Sequence, residues 1–542
     1  MKRAGLLRIK GAFLSSALLI SSFAITGAPL ASAATVGSGI CAQTVDNAAD
    51  VAVTSSGGYC YVAFKAGTRV WTVPTNVSVI DYLVVAGGGS GGARHGGGGG
   101  AGGLLKSTNA SLSNITALNV TVGNGGGAVI PSGGSISAAG LPGSNSTLIK
   151  NSGTGTFTTI TAIGGGGGEA GGLGAQSGGS GGGAQYTTGG AATAGQGNAG
   201  GRGGSGNING STNWWAGGGG GAGSPGGDGS SSGYGGAGGT GAIWVSSFTT
   251  TVATALGLSQ TGQVSGDQVY FAGGGGGAIT LSYTPGSGGT GGGGDAAIGN
   301  NTGESGTPNS GGGGGGTGCC DGGLTGAGGS GVVLIRYLLP NFTNAATASI
   351  AERTSTSTNA ATINVTESST ITIRPVLDSA FFAIVFSDSV TARVRFIDSP
   401  DFEARADSGG NNEYELTIRA TLLSGNYNEF SIKITVTDVL ENAVLGAPSL
   451  SGTPSKGRVV TITATSDTPG VMRFFFAGKR IPNCLSRSTS GTYPNFSATC
   501  SWKPAVTGTQ RIYASINPTD GALSPITSPT STIFILKRTT LR

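Results

Sequence analysis

Two kinds of pattern alternate along the chain. Apolar runs rich in β-branched residues, continuous or at every second position, predict strands at 70–74 (VWTVP), 79–85 (VIDYLVV), 118–123 (LNVTVG), 157–163 (FTTITAI) and 331–337 (GVVLIRY). A second set at 361–365, 370–373, 414–420 and 431–437 alternates apolar with polar residues, as half-buried strands do. A third set, at 459–464 and 510–516, also reads as strands. Helical periodicity is absent from 361–445, so the fold class is mainly β.

Composition changes the picture between 86 and 331. There, 91 of 246 residues are Gly, against 19 in the rest of the chain. That proportion matches collagen, but collagen needs Gly at every third position and abundant Pro. Here Gly comes in blocks, at 96–100, 164–168, 217–221, 273–277 and 311–316. A disordered linker is the other possibility. Against it stand the bracketing strands and the aromatic residues Trp214, Trp215, Tyr234, Trp244, Tyr270 and Phe271 near the block edges.

The order of these pieces carries a resemblance. Val79–Val85 followed by Ala86-Gly87-Gly88-Gly89, then Val120-Thr121-Val122-Gly123-Asn124-Gly125-Gly126, then Gly328-Gly329-Ser330-Gly331 and Val332–Tyr337, is similar to the glycine-rich domain family. That family occurs in bacterial secreted proteins and phage tail adhesins, with a related region in anaplastic lymphoma kinase-type receptors. The resemblance implies a bundle of polyglycine II helices, packed side by side and joined through β-rich ends. Such helices have no internal hydrogen bonds, so their N–H and C=O groups must find partners in neighbouring helices.

The N-terminus sets the compartment. Lys2, Arg3, Arg8 and Lys10 precede an apolar stretch at 12–25, and Ala31-Ser32-Ala33 supplies a small-residue cleavage pattern. This is the layout of a secretory signal peptide, too short to span a membrane. The expected organisation is a leader at 1–33, a glycine-rich domain at 34–338, a linker at 339–360 and two β-sandwiches at 361–445 and 446–542. The formal charge of +5 falls to about +1 once the four leader cations are removed. Summed in this way, charge gives nucleic acid or an anionic membrane no support as a partner.

Six cysteines fit an oxidising compartment. Cys41 with Cys60 and Cys484 with Cys500 are the expected disulfides, each close in sequence among strand-like residues. Cys319 and Cys320 are neighbours, able to bond only through a strained vicinal ring; metal ligation is the other option, with no CxxC or nearby His beside them.

Residues 361–445 resemble a bacterial cadherin-like domain through Ser399-Pro400-Asp401-Phe402-Glu403, Gly409-Gly410-Asn411-Asn412-Glu413 and Asp438-Val439-Leu440-Glu441-Asn442. The resemblance implies calcium held by Glu367, Asp401, Glu403, Asp438, Glu441 and Asn442. Leu440 and Glu441 depart from the family's Asn and Asp, which leaves solvated loop acids as the equal alternative. Residues 446–542 are similar to the Ig-like modules of actinobacterial surface proteins, through 478–484 and Cys500-Ser501-Trp502.

Catalytic chemistry is sparse. The single histidine, His95, abuts a Gly block with no acid nearby to orient it, so a Ser–His–Asp site has little to work with and a loop histidine is expected. GxGxxG matches inside the Gly blocks are composition, since no helix follows them. The expected function is a non-catalytic secreted or cell-surface adhesin-like or structural protein, with a glycan or cell-wall component as partner. Trp214 and Trp215 are the candidate contact, or caps of the bundle. The alternatives are a secreted carbohydrate-active enzyme, or a passive envelope component with no specific ligand.

Overall fold

The structure is a computed structural model describing residues 33–538, except 131–137, 209–210, 259–263, 281–282, 319–322, 440–442, 493 and 520–522. Residues 1–32 of the expected leader (1–33), with Cys319, Cys320, Glu441 and Asn442, lie outside the described residues.

The two most apolar runs become neighbours across the whole glycine-rich segment. Val332–Leu338 is the middle strand of a five-stranded antiparallel sheet, between Tyr59–Phe64 and Val79–Val85, with Val51–Ser56 and Leu104–Ser111 at the edges. Their lack of alternation has a physical cause: both faces of this sheet are covered. Val62, Phe64, Val84, Val333, Ile335 and Tyr337 pack with Trp71, Leu118, Val120 and Leu148. Those four come from a second, six-stranded sheet, ordered Ala34–Val36, Gln43–Val45, Gly67–Thr72, Ile115–Val122, Ser146–Gly153 and Ile160–Ala162. The opposite face, with Tyr61, Leu83, Val85, Val332 and Leu334, packs under Trp244, Phe248, Val252, Leu256 and Phe271 around the short helix Thr250–Ala255. Cys41–Cys60 is bonded, with Cα atoms 5.4 Å apart, and ties the link between the first two strands of the six-stranded sheet to the central sheet.

The glycine blocks run out from this sandwich as extended segments held by backbone hydrogen bonds to one another. Segment 96–103 shows the rule. Its N–H groups at 97, 100 and 103 donate to the carbonyls of 169, 166 and 163; those at 98 and 101 to 217 and 220; those at 96, 99 and 102 to 317, 314 and 311. Its carbonyls accept in the same rotation: 97, 100 and 103 from 92, 89 and 86; 98 and 101 from 183 and 180; 96 and 99 from 278 and 275. These bonds are 2.7–3.1 Å long. Each direction repeats every third residue, so the segment turns once per three residues and touches six neighbours. At Gly219, in one of those neighbours, the spacing leaves no room for a side chain: a Cβ there would overlap the carbonyl oxygen of Gly99.

Beyond Leu338 come two sandwiches. The first faces a four-stranded sheet (Thr347–Ala351, Tyr427–Thr437, Glu413–Leu422, Ser369–Ile373) against a three-stranded one (Ala361–Asn364, Thr391–Phe396, Phe382–Ser387). Ile363, Val394, Leu416, Ile418, Ile432 and Ile434 are in its core. Its first strand corrects one boundary. Thr347–Ala351 (TASIA) lies in the stretch read as linker, yet it pairs in parallel with Lys433–Thr437. A strand with one large apolar residue, Ile350, and a partner more than 80 residues away leaves little local signal. The second sandwich is built on Val460–Ser466 and Asn495–Trp502 on one side and Gly470–Phe476 and Gly508–Pro518 on the other. The Cys484–Cys500 disulfide is buried in its core beside Trp502, whose ring centroid is 4.7 Å from that of Phe476.

Candidate functional site

Two places gather chemistry. The first is the end of the glycine bundle away from the sandwich. The chain leaves the central sheet at Val85, runs out through Gly92, turns at 93–95 and returns to Leu104. Arg94 and His95 hold that turn with φ of 58° and 59°, the left-handed region. His95 N donates to the carbonyl of Gly318, and Arg94 N to Thr317 Oγ1. The hairpin Gly204–Ile208 with Ser211–Trp215 delivers the candidate tryptophans to this same end. Trp214 stacks on His95 with centroids 5.0 Å apart and planes 27° apart. Trp215 lies across its own hairpin, where a Cβ on Gly204 or Gly206 would sit 2.8 or 2.9 Å from the indole. Both rings are half-buried, so each is part cap and part exposed surface.

His95 sits in a loop, as expected, but it is only 6% exposed. Burial, and then the Arg94 charge, lower its pKa to about 4, so the ring is neutral at physiological pH. Its Nδ1 finds no partner among the described residues. Close by, Glu169 is fully buried. Its Oε2 accepts from Gln185 N at 2.8 Å and Thr187 Oγ1 at 3.0 Å, while Oε1 is unpartnered. Gln185 in turn donates to the Arg94 carbonyl at 2.9 Å, and Tyr186 is 41% exposed beside it. Glu169 closes a Gly block and was not singled out from sequence; a charged residue ending an otherwise apolar block is the signal that could have found it.

The second place is the end of the first sandwich nearest the second. Carboxylate oxygens of Glu352, Asp401 and Glu403 lie within 4.8 Å of one another. Glu352 is 3% exposed; its Oε2 accepts from Phe402 N at 3.1 Å and its Oε1 from Val439 N at 2.9 Å. It therefore ties the Asp401–Glu403 loop to the segment carrying Asp438. Burial, and then the Glu352 charge, raise the Glu403 pKa. Asn412 donates through Nδ2 to the Phe402 carbonyl at 2.8 Å and keeps a buried Oδ1 without a partner. Converging carboxylate oxygens and an orphaned amide oxygen suit a hard, oxygen-seeking cation. The sequence reading is corrected at one position. Glu367 lies elsewhere, accepting from Asn341 N at 3.2 Å and approaching Gly58 at the junction with the glycine-rich domain. Glu352 stands with Asp401 and Glu403 instead, directly after Thr347–Ala351, the strand hidden in the apparent linker.

No curated protein matches the chain. Among solved structures, extracellular cadherin domains 1–4 of protocadherin gamma B7 align at 14% identity with a TM-score of 0.24, covering 38% of this chain and 54% of theirs. A cis-dimer structure of protocadherin gamma B7 aligns at 16% identity and TM-score 0.25, covering 36% and 47%. A titin fragment aligns at 14% identity and TM-score 0.21, covering 37% of this chain and 99% of its own. The chain thus spans about half the length of the protocadherin structures, and likenesses this low carry no weight here. The sequence profile of the glycine-rich domain matches residues 64–338, half of the chain. With its closing strand beside its opening ones and the Gly blocks bundled between them, this chain belongs to the glycine-rich domain family.

Proposed function

We propose that this chain is an exported, non-catalytic surface protein. Its polyglycine II bundle holds an aromatic end for contact with an extracellular glycan or cell-wall component, and the two sandwiches act as a stalk. The observation that carries this reading is the Trp214–His95 stack at the bundle's outer end, with Tyr186 exposed nearby. Planar rings held by a rigid scaffold are suited to sugar faces, because little side-chain entropy is lost on contact. The two disulfides support an oxidising compartment. The sole histidine, buried and neutral with a pKa near 4, is poorly placed to act as a general base at neutral pH. A glycosidase reading would need two carboxylates facing a groove. Glu352, the buried member of the close carboxylates, already engages two loop amides.

The test is binding of the full mature chain to whole cells and to a glycan panel, beside Trp214→Ala. Binding that falls at least about tenfold in the variant supports the reading. Unchanged binding removes the aromatic end from it, and no binding to any surface favours a passive envelope component.

Calcium belongs to the same reading, held by Glu352, Asp401, Glu403 and Asp438 where the two sandwiches meet. The cation would offset the mutual repulsion of these carboxylates. Isothermal titration with calcium should show binding that Asp401→Asn weakens; no heat at millimolar calcium would discard the site.

A further inference from the structure

The near-neutral charge of the mature chain hides a segregation. Residues 446–542 carry 11 basic and two acidic residues, a net of +9, whereas residues 34–445 carry 14 basic and 22 acidic, a net of −8. Within the second sandwich, cations gather at one end. The chain enters this sandwich where Leu445 bridges Ser466 and Gly446 N donates to the Thr465 carbonyl. Asp467 is at that entry end, accepting from Val444 N at 2.7 Å. Val460 marks the opposite end of the same strand, and three segments come together there. Ser455 bridges Leu536, Lys456 N donates to the Leu536 carbonyl, and the turn after Phe476 leans on the Gly508–Pro518 strand through Ala477 N to the Arg511 carbonyl. Lys456 and Arg458, Lys479 and Arg480, Lys537 and Arg538 are thereby placed on one pole, and all six are exposed. None forms an ion pair among the described residues. A groove of 480 Å³ opens there, lined by Arg458, Lys537 and Arg538 with Ser455, Gly457 and Leu536.

Unpaired like charges repel and lower the stability of the free domain, so their concentration on one pole calls for an anionic partner. The charges are spread over three segments rather than converging on one point, which fits a repeating anion better than a small one. The Cys484–Cys500 disulfide of this same sandwich fits an oxidising compartment, where nucleic acid is not the expected partner. Guanidinium groups match phosphate oxygens two by two, and three of the six cations are arginines.

We infer that this pole docks a phosphodiester-linked polyol polymer of the cell envelope, retaining the protein at the surface with the glycine bundle directed away. The inference rests on the exported reading and not on what the bundle binds. The full mature chain is titrated with poly(glycerol phosphate), with anionic phosphatidylglycerol vesicles and double-stranded DNA as parallel arms. Affinity for the polymer should fall about 100-fold between about 50 and 200 mM salt. The triple variant Arg458→Ser, Lys537→Ser, Arg538→Ser should lose about half of that salt slope. These side chains are exposed, so the variant should keep the wild-type circular dichroism; if it does not, the pair Lys479→Ser, Arg480→Ser replaces it. No binding to the polymer, an unchanged salt slope in the variant, or tighter binding to vesicles or DNA overturns the inference. Cell fractionation reports separately on the underlying reading. Cytosolic protein would overturn export, whereas exported protein that ignores the polymer overturns only this docking pole.

Discussion

At the scale of single residues, the fold depends on atoms that are missing. Gly219 faces the carbonyl of Gly99, and a side chain there must displace the backbone at 99–100. Gly219→Val should therefore destabilise the glycine-rich domain by more than about 3 kcal/mol, read as a lowered midpoint in urea. A midpoint within error of wild type would remove the close-packed bundle at that point. His95 gives a second residue-scale prediction, with a sign. Its folded-state pKa of about 4 lies below the ordinary 6.5, so the unfolded chain takes up the proton first. Stability should hold above pH 6.5, fall as the pH drops towards 4, and level off below, with a loss on the order of 3 kcal/mol. His95→Gln should flatten that part of the pH profile, measured by thermal melts across the range. A profile that keeps its full slope in the variant would place the titrating group elsewhere.

At the scale of elements, the strands were legible where their pattern was strong and hidden where their partner was remote. Val79–Val85 and Val332–Leu338 stand out as apolar runs, and their pairing accounts for the two polar residues inside them. Asp81 and Arg336 face each other across the strands, with Arg336 Nε and Nη2 both 2.8 Å from Asp81 Oδ2. The guanidinium also lies 4.2 Å over the Tyr59 ring. Asp81→Ala leaves that cation buried without its partner and should cost about 3–5 kcal/mol. Chemical denaturation measures this, and a loss under about 1 kcal/mol would mean the pair is solvated. Thr347–Ala351 is the counter-example. Its alternation is brief and its parallel partner distant, so a reading of local pattern places it in a linker and misses Glu352 as well. The glycine segments are a third case. Their blocks were visible, but which block neighbours which is decided by hydrogen bonds between backbones, and no side chain records that choice. The tryptophans stand out in the sequence because aromatic rings are rare in such composition, whereas a single acid such as Glu169 gives no comparable local signal.

At the scale of the whole molecule, the glycine-rich domain and the first sandwich are joined by a specific lock. Asn426, 2% exposed at the turn between Glu413–Leu422 and Tyr427–Thr437, accepts from Ser78 N at 2.8 Å and Val79 N at 3.0 Å. It donates to the carbonyls of Val79 at 3.0 Å and Leu338 at 3.1 Å. Asn426→Ala should cost about 3 kcal/mol of coupling between the two bodies. Differential scanning calorimetry should then show their unfolding separate into two transitions; one unchanged transition would deny the lock. The lock holds the strands from which the glycine bundle runs out, and the central claim is that the bundle itself is rigid. Native-state hydrogen exchange on the amides of 96–103 tests it most directly. The three-residue rotation of hydrogen bonds predicts that these glycines exchange about as slowly as the central strand Val332–Leu338, through global unfolding. Exchange at the rate of an unstructured glycine chain would contradict it.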